Sequence, residues 1–453
     1  MKRWISQILL LLTALNMLAA CSSGTGAEPT AAATTAPAAT ATSAPAPTTA
    51  TAPLTDTTAP TTATAPVTGT TAPAGGSGET LKIGLVTDQS KALSLYGQQE
   101  INGFMLGLEY ATKGTMTVAG RPIEVITKDD ENNAERARQL ARELIERDGV
   151  ELLQCCASTS SALTVIEVAK ENGVVAVIDP AAGPQITGSN FNRFVFRTGR
   201  NTLQDALTAG PYMVESVGKE FVQLAPDTDF GKGSATSWRT IIEANGGSFV
   251  ADDVLIPADT TDFTPYLQKL LDAADEKGAK VLMVTWAGAN FPRLFQQMQE
   301  QGVLEKLTLA TGFGDNVTLP TVYASAVGSV GMIAYHYTLP KNEVNDWLVA
   351  KHKEKFGTPP DLFTAGGMAA AIAMVQGLEQ TGGDTDPEKL IPAMEGMSFK
   401  GPKGDYTFRK EDHQALQPMY MVKLISTTDA EAKFYELLQE RTADQTAPPV
   451  MVP

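Results

Sequence analysis

"ELLQCCASTSSALTVIEVAKENGVVAVIDPAA", residues Glu151–Ala182, decides how this chain folds. Two short apolar runs, "ELLQCC" and "VVAVID", are bounded by turn residues and separated by Ser160–Asn172. A strand, a helix and a second strand in that order imply parallel pairing with the helix packed on the sheet. The pattern continues upstream. "LKIGLV" (Leu81–Val86) and "PIEVITK" (Pro122–Lys128) read as strands, and Gly97–Ala111 as a helix. The next helix carries Ala137, Leu140, Ala141, Leu144 and Ile145 on one face, the i, i+3, i+4, i+7, i+8 spacing of an amphipathic helix.

A second series starts near Arg200. Helix Thr202–Val217 precedes strand "FVQLAP" (Phe221–Pro226), and helix Gly233–Ala244 precedes "FVADDVLI" (Phe249–Ile256). Helix Phe263–Lys277 precedes "KVLMVTWA" (Lys280–Ala287), and helix Phe291–Gln301 precedes "LTLAT" (Leu307–Thr311). Further helices follow at Glu343–Phe356, Gly366–Gln380 and Pro387–Gly396, then strands "GDYTF" (Gly404–Phe408) and "MYMVKLI" (Met419–Ile425). Two parallel-sheet lobes present their strand ends to a cleft, where ligands of such folds bind.

The N-terminus reads differently. Lys2 and Arg3, the run Ile8–Leu12 and the small pair Ala19-Ala20 form a secretory signal over residues 1–20. The apolar run is too short and too interrupted for a spanning helix. "LAAC" (Leu18–Cys21) resembles the bacterial lipobox, which implies a lipidated Cys21 and anchoring by several acyl chains. Residues 21–79 are Thr, Ala, Pro, Gly and Ser almost throughout, with no apolar periodicity to offset backbone ordering. They read as a disordered stalk, with or without O-linked sugar.

Formal net charge is −16, and becomes −18 once Lys2 and Arg3 are removed. That balance excludes nucleic acid and an anionic membrane surface as direct partners. Cys155 and Cys156 are adjacent in a predicted strand, so their side chains should face opposite ways as buried small hydrophobes, without a disulfide. His336, His352 and His413 have no metal-ligand spacing, and no Gly-x-Ser-x-Gly, phosphate loop or HExxH motif occurs. The expectation is no catalytic residue, no metal and no cofactor. Asp129 and Asp130 read as solvated or as caps of the helix near Ala134, and Arg409–Asp412 as an exposed turn.

Ordered landmarks carry a resemblance: "LYGQQEINGFMLGLEYAT" (Leu95–Thr112), "DDENNAERA" (Asp129–Ala137), "STSSALTVIEVAKENGVVAVIDPAA" (Ser158–Ala182), "DTDFGKG" (Asp227–Gly233) and "GPKGDYTFRKEDHQ" (Gly401–Gln414). From Leu81 to Ile425 the chain resembles the type I periplasmic binding proteins of ABC transporters for branched-chain amino acids and related compounds, in lipoprotein form. The resemblance implies an α/β fold of two doubly wound parallel-sheet lobes joined by three crossovers. It also implies lobe 1 at 80–200 and again at 336–405, lobe 2 at 201–335 and again at 406–430, and a tail at 431–453.

In such proteins the ligand sits between the lobes. By that likeness the first lobe offers Tyr96, Cys156, Ala157, Ser158, Thr159, Ala181, Ala182 and Gly183, and the second Phe230, Trp286, Gly312 and Phe313. Trp286 follows a strand and precedes the small polar run Ala287–Asn290, a position suited to a pocket wall. Phe230, in a loop after a strand, is another candidate wall. The chain departs from the family's amino-acid binders at three places. Ala157 and Gly183 stand where hydroxyl residues are common, and Gly312 where the acid pairing the ligand ammonium is expected. Asp315 or Asp229 is the substitute if that register is wrong. The expected ligand is a small organic acid or amino-acid-like compound with an apolar or aromatic part, its carboxylate held by Ser158, Thr159 and the amides of Ala182 and Gly183 without any Lys or Arg. The expected role is a monomeric, exported solute-binding lipoprotein on the outer face of the cytoplasmic membrane that closes on its ligand and delivers it to permease subunits. The alternatives are a sensory module of the same fold, or an importer component for aromatic acids or amides rather than branched-chain amino acids.

Overall fold

The computed structural model describes residues 78–453. The signal segment, Cys21 and nearly all of the stalk lie outside the described residues.

The first half of the chain builds β1 (Leu81–Thr87), α1 (Ser94–Ala111), β2 (Thr117–Val118), β3 (Arg121–Asp129), α2 (Ala134–Glu146), β4 (Leu152–Cys155), α3 (Thr159–Asn172), β5 (Val175–Ile178) and β6 (Val195–Arg197). Their sheet has the order β2-β3-β1-β4-β5-β6, parallel except for the β2–β3 pair. Helices cover both faces, so β4 and β5 are buried along their whole length and read as unbroken apolar runs. Asn133, rather than Asp129 or Asp130, caps α2, accepting from the Arg136 amide at 3.0 Å. Asp130 is fully buried and its carboxyl is pushed up to about 6 by that burial.

The second lobe follows with α4 (Thr202–Ser216), β7 (Glu220–Pro226), α5 (Asp229–Ala244), β8 (Ser248–Phe249), β9 (Val254–Ile256), α6 (Thr264–Lys277), β10 (Val281–Val284), α7 (Phe291–Glu300), α8 (Val303–Lys306), β11 (Thr308–Thr311), α9 (Leu319–Val322) and β12 (Val330–Ile333). Its parallel sheet runs β11-β10-β7-β8, with β9 also on β7. "FVADDVLI" is two short strands instead of one. Asp253 leaves the ladder to accept hydrogen bonds from Gln223 and Arg239.

The chain then adds α10 (Glu343–Phe356), α11 (Thr364–Thr381), α12 (Pro387–Met394), β13 (Ser398–Gly401), β14 (Gly404–Phe408), β15 (Ala415–Leu416), β16 (Met419–Leu424) and β17 (Tyr435–Arg441). α11 packs on α1 at very short range. A Cβ at Gly103 would lie 2.0 Å from the Thr364 carbonyl oxygen, and one at Gly367 2.3 Å from that of Glu100. Phe399, Tyr406, Phe408 and Ala415 join the first lobe's core, so the chain stays with that lobe past residue 405. β16 crosses to pair with β12, and β17 pairs with β16. β17 falls in the expected tail. As an edge strand it leaves Leu437 and Leu438 exposed and has no burial alternation to reveal it. The run Arg409–Asp412 is only partly exposed. Asp412 is buried and takes two hydrogen bonds from Arg409.

The two lobes thus exchange chain three times, at Thr198–Asn201, at Ala334–Asn342 and at Gln417–Pro418. Gln414 and Gln417 tie these crossings together. Gln414 Nε2 donates to the Gly199 carbonyl and Gln417 Nε2 to that of Thr198, both at 2.9 Å. Among the described residues, no helix is long and apolar enough to cross a membrane.

Candidate functional site

The first lobe brings three strand ends to one edge. After β1, the Asp88 carboxylate accepts from the amides of Ser90, Lys91 and Leu93 at 2.7–3.1 Å, a tight turn that starts α1 and sets Tyr96. After β4, the Ala157 amide donates to Thr87 Oγ1 at 3.1 Å, and α3 begins at Thr159. Its first-turn amides have no helical acceptor. After β5 the chain turns through Ala182.

The second lobe supplies the facing wall. Thr228 caps α5 by accepting from the Gly231 amide, which places Phe230 in the helix's first turn rather than in a loop. β10 ends at Val284, so Trp286 lies beyond the sheet. Its indole Nε1 donates to Asn290 Oδ1 at 3.0 Å, and Asn290 in turn donates to the carbonyls of Ala258 and Thr260. Phe263 meets the indole edge-on at 5.5 Å. Phe291, Phe313 and Tyr323 continue the aromatic wall, with Tyr323 edge-on to both phenylalanines at 5.5–6.0 Å.

Between these walls is a cavity of about 180 Å³. It gathers Tyr96, Ala157, Ser158, Thr159, Ala182, Phe230, Trp286, Gly312 and Phe313 of the expected set. Cys156, Ala181 and Gly183 do not line it. The Gly183 amide donates to Thr159 Oγ1 at 3.1 Å and its carbonyl accepts from Arg197, so neither faces a ligand. The reading of Cys155 and Cys156 as free hydrophobes is also corrected. β4 ends at Cys155, strand alternation does not reach Cys156, and the two sulfurs are bonded across a cis peptide.

Neither substitute acid lines the cavity. Asp315 lies behind the wall and accepts from the Val317 and Thr318 amides and the Thr318 hydroxyl. Asp229 is engaged across the cleft: Ser160 Oγ donates to its Oδ2 at 2.7 Å and Gln185 Nε2 to its carbonyl at 3.1 Å. A third bond between the lobes runs from the Ala289 amide to the Ala92 carbonyl at 3.0 Å. The cleft is therefore closed over the cavity.

The charged residues at the cavity escaped the sequence reading. Among the described residues that line it, Arg200 is the one cation and Asp205 the one acid. Arg200 Nε stands 3.5 Å from Asp205 Oδ1. Burial pushes the Asp205 carboxyl up, opposed first by Arg200. The same burial raises the phenols of Tyr96 and Tyr323. Phe291 and Phe363 were missed as well. Phe291 opens α7 and Phe363 immediately precedes α11, places where helical periodicity gives no sign of exposure to a cleft.

The chain is similar to known proteins. A leucine-, isoleucine-, valine-, threonine- and alanine-binding protein of Pseudomonas aeruginosa is 26% identical over 73% of this chain and 86% of its own length. A crystal structure of an ABC-type branched-chain amino acid transporter protein from Rhodopseudomonas palustris superposes with a TM-score of 0.68 at 39% identity, covering 82% of this chain and all of that one. A solute-binding protein of an ABC transporter from another R. palustris strain, in complex with 3,4-dihydroxybenzoic acid, has a TM-score of 0.71 at 26% identity, covering 80% and 98%. Residues 80–429 match the model of one family. The two lobes, their three crossings and the cleft between them belong to that family's fold, and this chain is a periplasmic binding protein.

Proposed function

We propose that the protein is the solute-binding component of an ABC importer and that it takes a small carboxylate with a flat apolar body. The carrying observation is the cavity itself, shared by both lobes and walled by Tyr96, Phe230, Trp286, Phe291 and Phe313. About 150 Å³ suffices for a benzene ring, so 180 Å³ suits one ring with a small polar group. The first-turn amides of α3 and the hydroxyls of Ser158 and Thr159 favour an anion at one side. An α-amino acid is less well served, because Asp229 and Asp315 already spend their carboxylates on protein donors. One R. palustris relative holds an aromatic acid, whereas the other R. palustris relative and the P. aeruginosa relative are named for branched-chain and other amino acids. The cavity's aromatic walls favour the former class.

The family works outside the cytoplasm. Residues 1–20 direct export in this reading, Cys21 carries the lipid, and residues 21–79 hold the monomeric lobes off the membrane within reach of the permease. Calorimetry with benzoate, 4-hydroxybenzoate, 3,4-dihydroxybenzoate, leucine and valine tests the ligand class. The expected result is micromolar or tighter binding of an aromatic acid. Tight leucine binding with no aromatic-acid binding would overturn it.

A further inference from the structure

Arg200 occupies the first crossing between the lobes, between β6 and α4, and lines the cavity with its side chain 16% exposed. A guanidinium carries five N–H donors. Nη1 donates to the Pro180 carbonyl at a long 3.3 Å. Nε is buried with no hydrogen bond, being in ion-pair range of Asp205 but not bonded to it. Phe363 lies under the guanidinium, 5.6 Å from ring centroid to Cζ, and holds it in place. A guanidinium whose Nε is buried and unpaired carries a cost unless something in the cavity supplies an acceptor.

Resting on the reading of the cleft as a carboxylate site, we propose that Arg200 is the specificity-determining residue of this protein, accepting only ligands whose anionic head completes its hydrogen bonds. Asp205 is a positioning residue. It sits in the first turn of α4, buried, and steers Arg200 from the Nε side without bonding to it. A carboxylate fits the fork of the guanidinium with two charge-assisted bonds, whereas a ligand ammonium would meet like charge at the same place. Asp205 is a poor partner for an ammonium, since burial disfavours its charged form and Arg200 occupies its one face. Because Arg200 belongs to a crossing rather than to either lobe, the ligand's anion contacts the segment about which the lobes turn. An uncharged analogue of the same shape fills the walls but leaves that contact unmade.

The test compares benzoate with benzamide by calorimetry on the purified wild-type protein, Arg200→Gln, Arg200→Lys and Asp205→Asn, each checked for folding by its thermal midpoint. Wild type should prefer benzoate by at least 100-fold. Arg200→Gln should lose at least 100-fold in benzoate affinity and change benzamide by less than threefold. Arg200→Lys, which keeps the charge and loses the fork, should fall about tenfold for benzoate. Asp205→Asn, which keeps the shape and loses the steering charge, should weaken benzoate about tenfold and change benzamide by less than threefold. An arginine that merely packs would weaken both ligands alike, and that outcome overturns the proposal. So does benzoate affinity unchanged in Arg200→Gln or in Asp205→Asn. A wild-type protein that binds benzamide as tightly as benzoate, or that binds neither, overturns the carboxylate reading and the inference together.

Discussion

Ser160 at the start of α3 donates its hydroxyl to Asp229 at the start of α5, 2.7 Å across the cleft, so the two helix beginnings that frame the ligand cavity are joined directly. The bond exists only when the lobes are closed. A hydrogen bond to a carboxylate is worth about 1.5 kcal/mol or somewhat more. Ser160→Ala should therefore weaken ligand binding roughly tenfold, chiefly by faster dissociation, since affinity changes at one interface are mostly changes in off-rate. Stopped-flow dissociation measures it. An off-rate equal to wild type would remove this contact from the closing mechanism.

Trp286 is held by Asn290 and by Phe263, and packs partly buried against the edge of the second lobe's core. Trp286→Ala should cost ligand affinity about 2–3 kcal/mol, roughly 30- to 150-fold. It should lower the unfolding midpoint only slightly. Trp286→Phe should recover most of the affinity. Calorimetry alongside thermal unfolding separates the two effects, and an unchanged dissociation constant in the alanine variant would take Trp286 out of the site.

Arg197 is fully buried, and its charge is carried by neutral acceptors: Gln414 Oε1 at 2.8 Å, the Gly183 carbonyl at 2.6 Å and the Thr187 hydroxyl. Burial lowers its guanidinium to about 9. It links the loop after β5 to the returning hairpin, and so fixes Ala182 at the cavity. Arg197→Met should destabilise the protein by about 3 kcal/mol or more, because three acceptors lose their donor. Arg197→Lys should not rescue it, as one ammonium cannot reproduce the fork. Urea unfolding reads both, and a midpoint within error of wild type for Arg197→Lys would contradict the account.

His336 is buried and neutral. Its Nε2 lies 2.9 Å from the Ala432 carbonyl, which requires the donor there, leaving Nδ1 to accept from Thr338 at 2.7 Å. Burial drops its pKa from 6.5 to about 4. A base with a depressed folded pKa stabilises the fold above pH 6.5, and the contribution disappears as pH falls through 4. The loss is about 3 kcal/mol at most. Unfolding free energies measured between pH 7 and 4 should fall, and His336→Gln should fall less. Parallel curves would exclude His336 as a source of acid sensitivity.

Cys21→Ala should move the protein from the membrane fraction to the soluble exported fraction, because the lipid is the proposed anchor. Carbonate washing followed by immunoblotting decides it. Retention of the variant in the pellet would point to an uncleaved apolar segment instead.

Local pattern alone located the long helices and the central strands of both lobes, though not the short strands β2, β6, β12, β13 and β15, because burial on a sheet or helix face imposes a period on the sequence. "LKIGLV", "VVAVID" and the helix from Ala134 to Glu146 are such cases. Trp286, placed just beyond a strand end, was legible as a candidate cavity wall for the same reason, since the end of the pattern marks the edge of the sheet, whereas Phe313 was reached only through the family resemblance. β17 was not legible. An edge strand with one solvated face and two exposed leucines carries no alternation.

The rest depended on pairs distant in sequence or on turns with no period. Arg200 sits in a four-residue crossing, and nothing local tells that its guanidinium faces the cavity. Asp205 and Phe291 lie in helical first turns, where periodicity predicts core contact and the cleft breaks that rule. Asp229 looked free to pair an ammonium until Ser160, far away in the chain, was found bonded to it. The adjacent cysteines were assigned to opposite faces by strand alternation, which stops at Cys155. The sequence by itself determined two α/β lobes with an aromatic cleft, because those follow from hydrophobic period and strand termini. Only the tertiary structure decided which charges face that cleft and which are already satisfied, because a carboxylate's or guanidinium's partner is set by the approach of separate lobes, which no local spacing encodes.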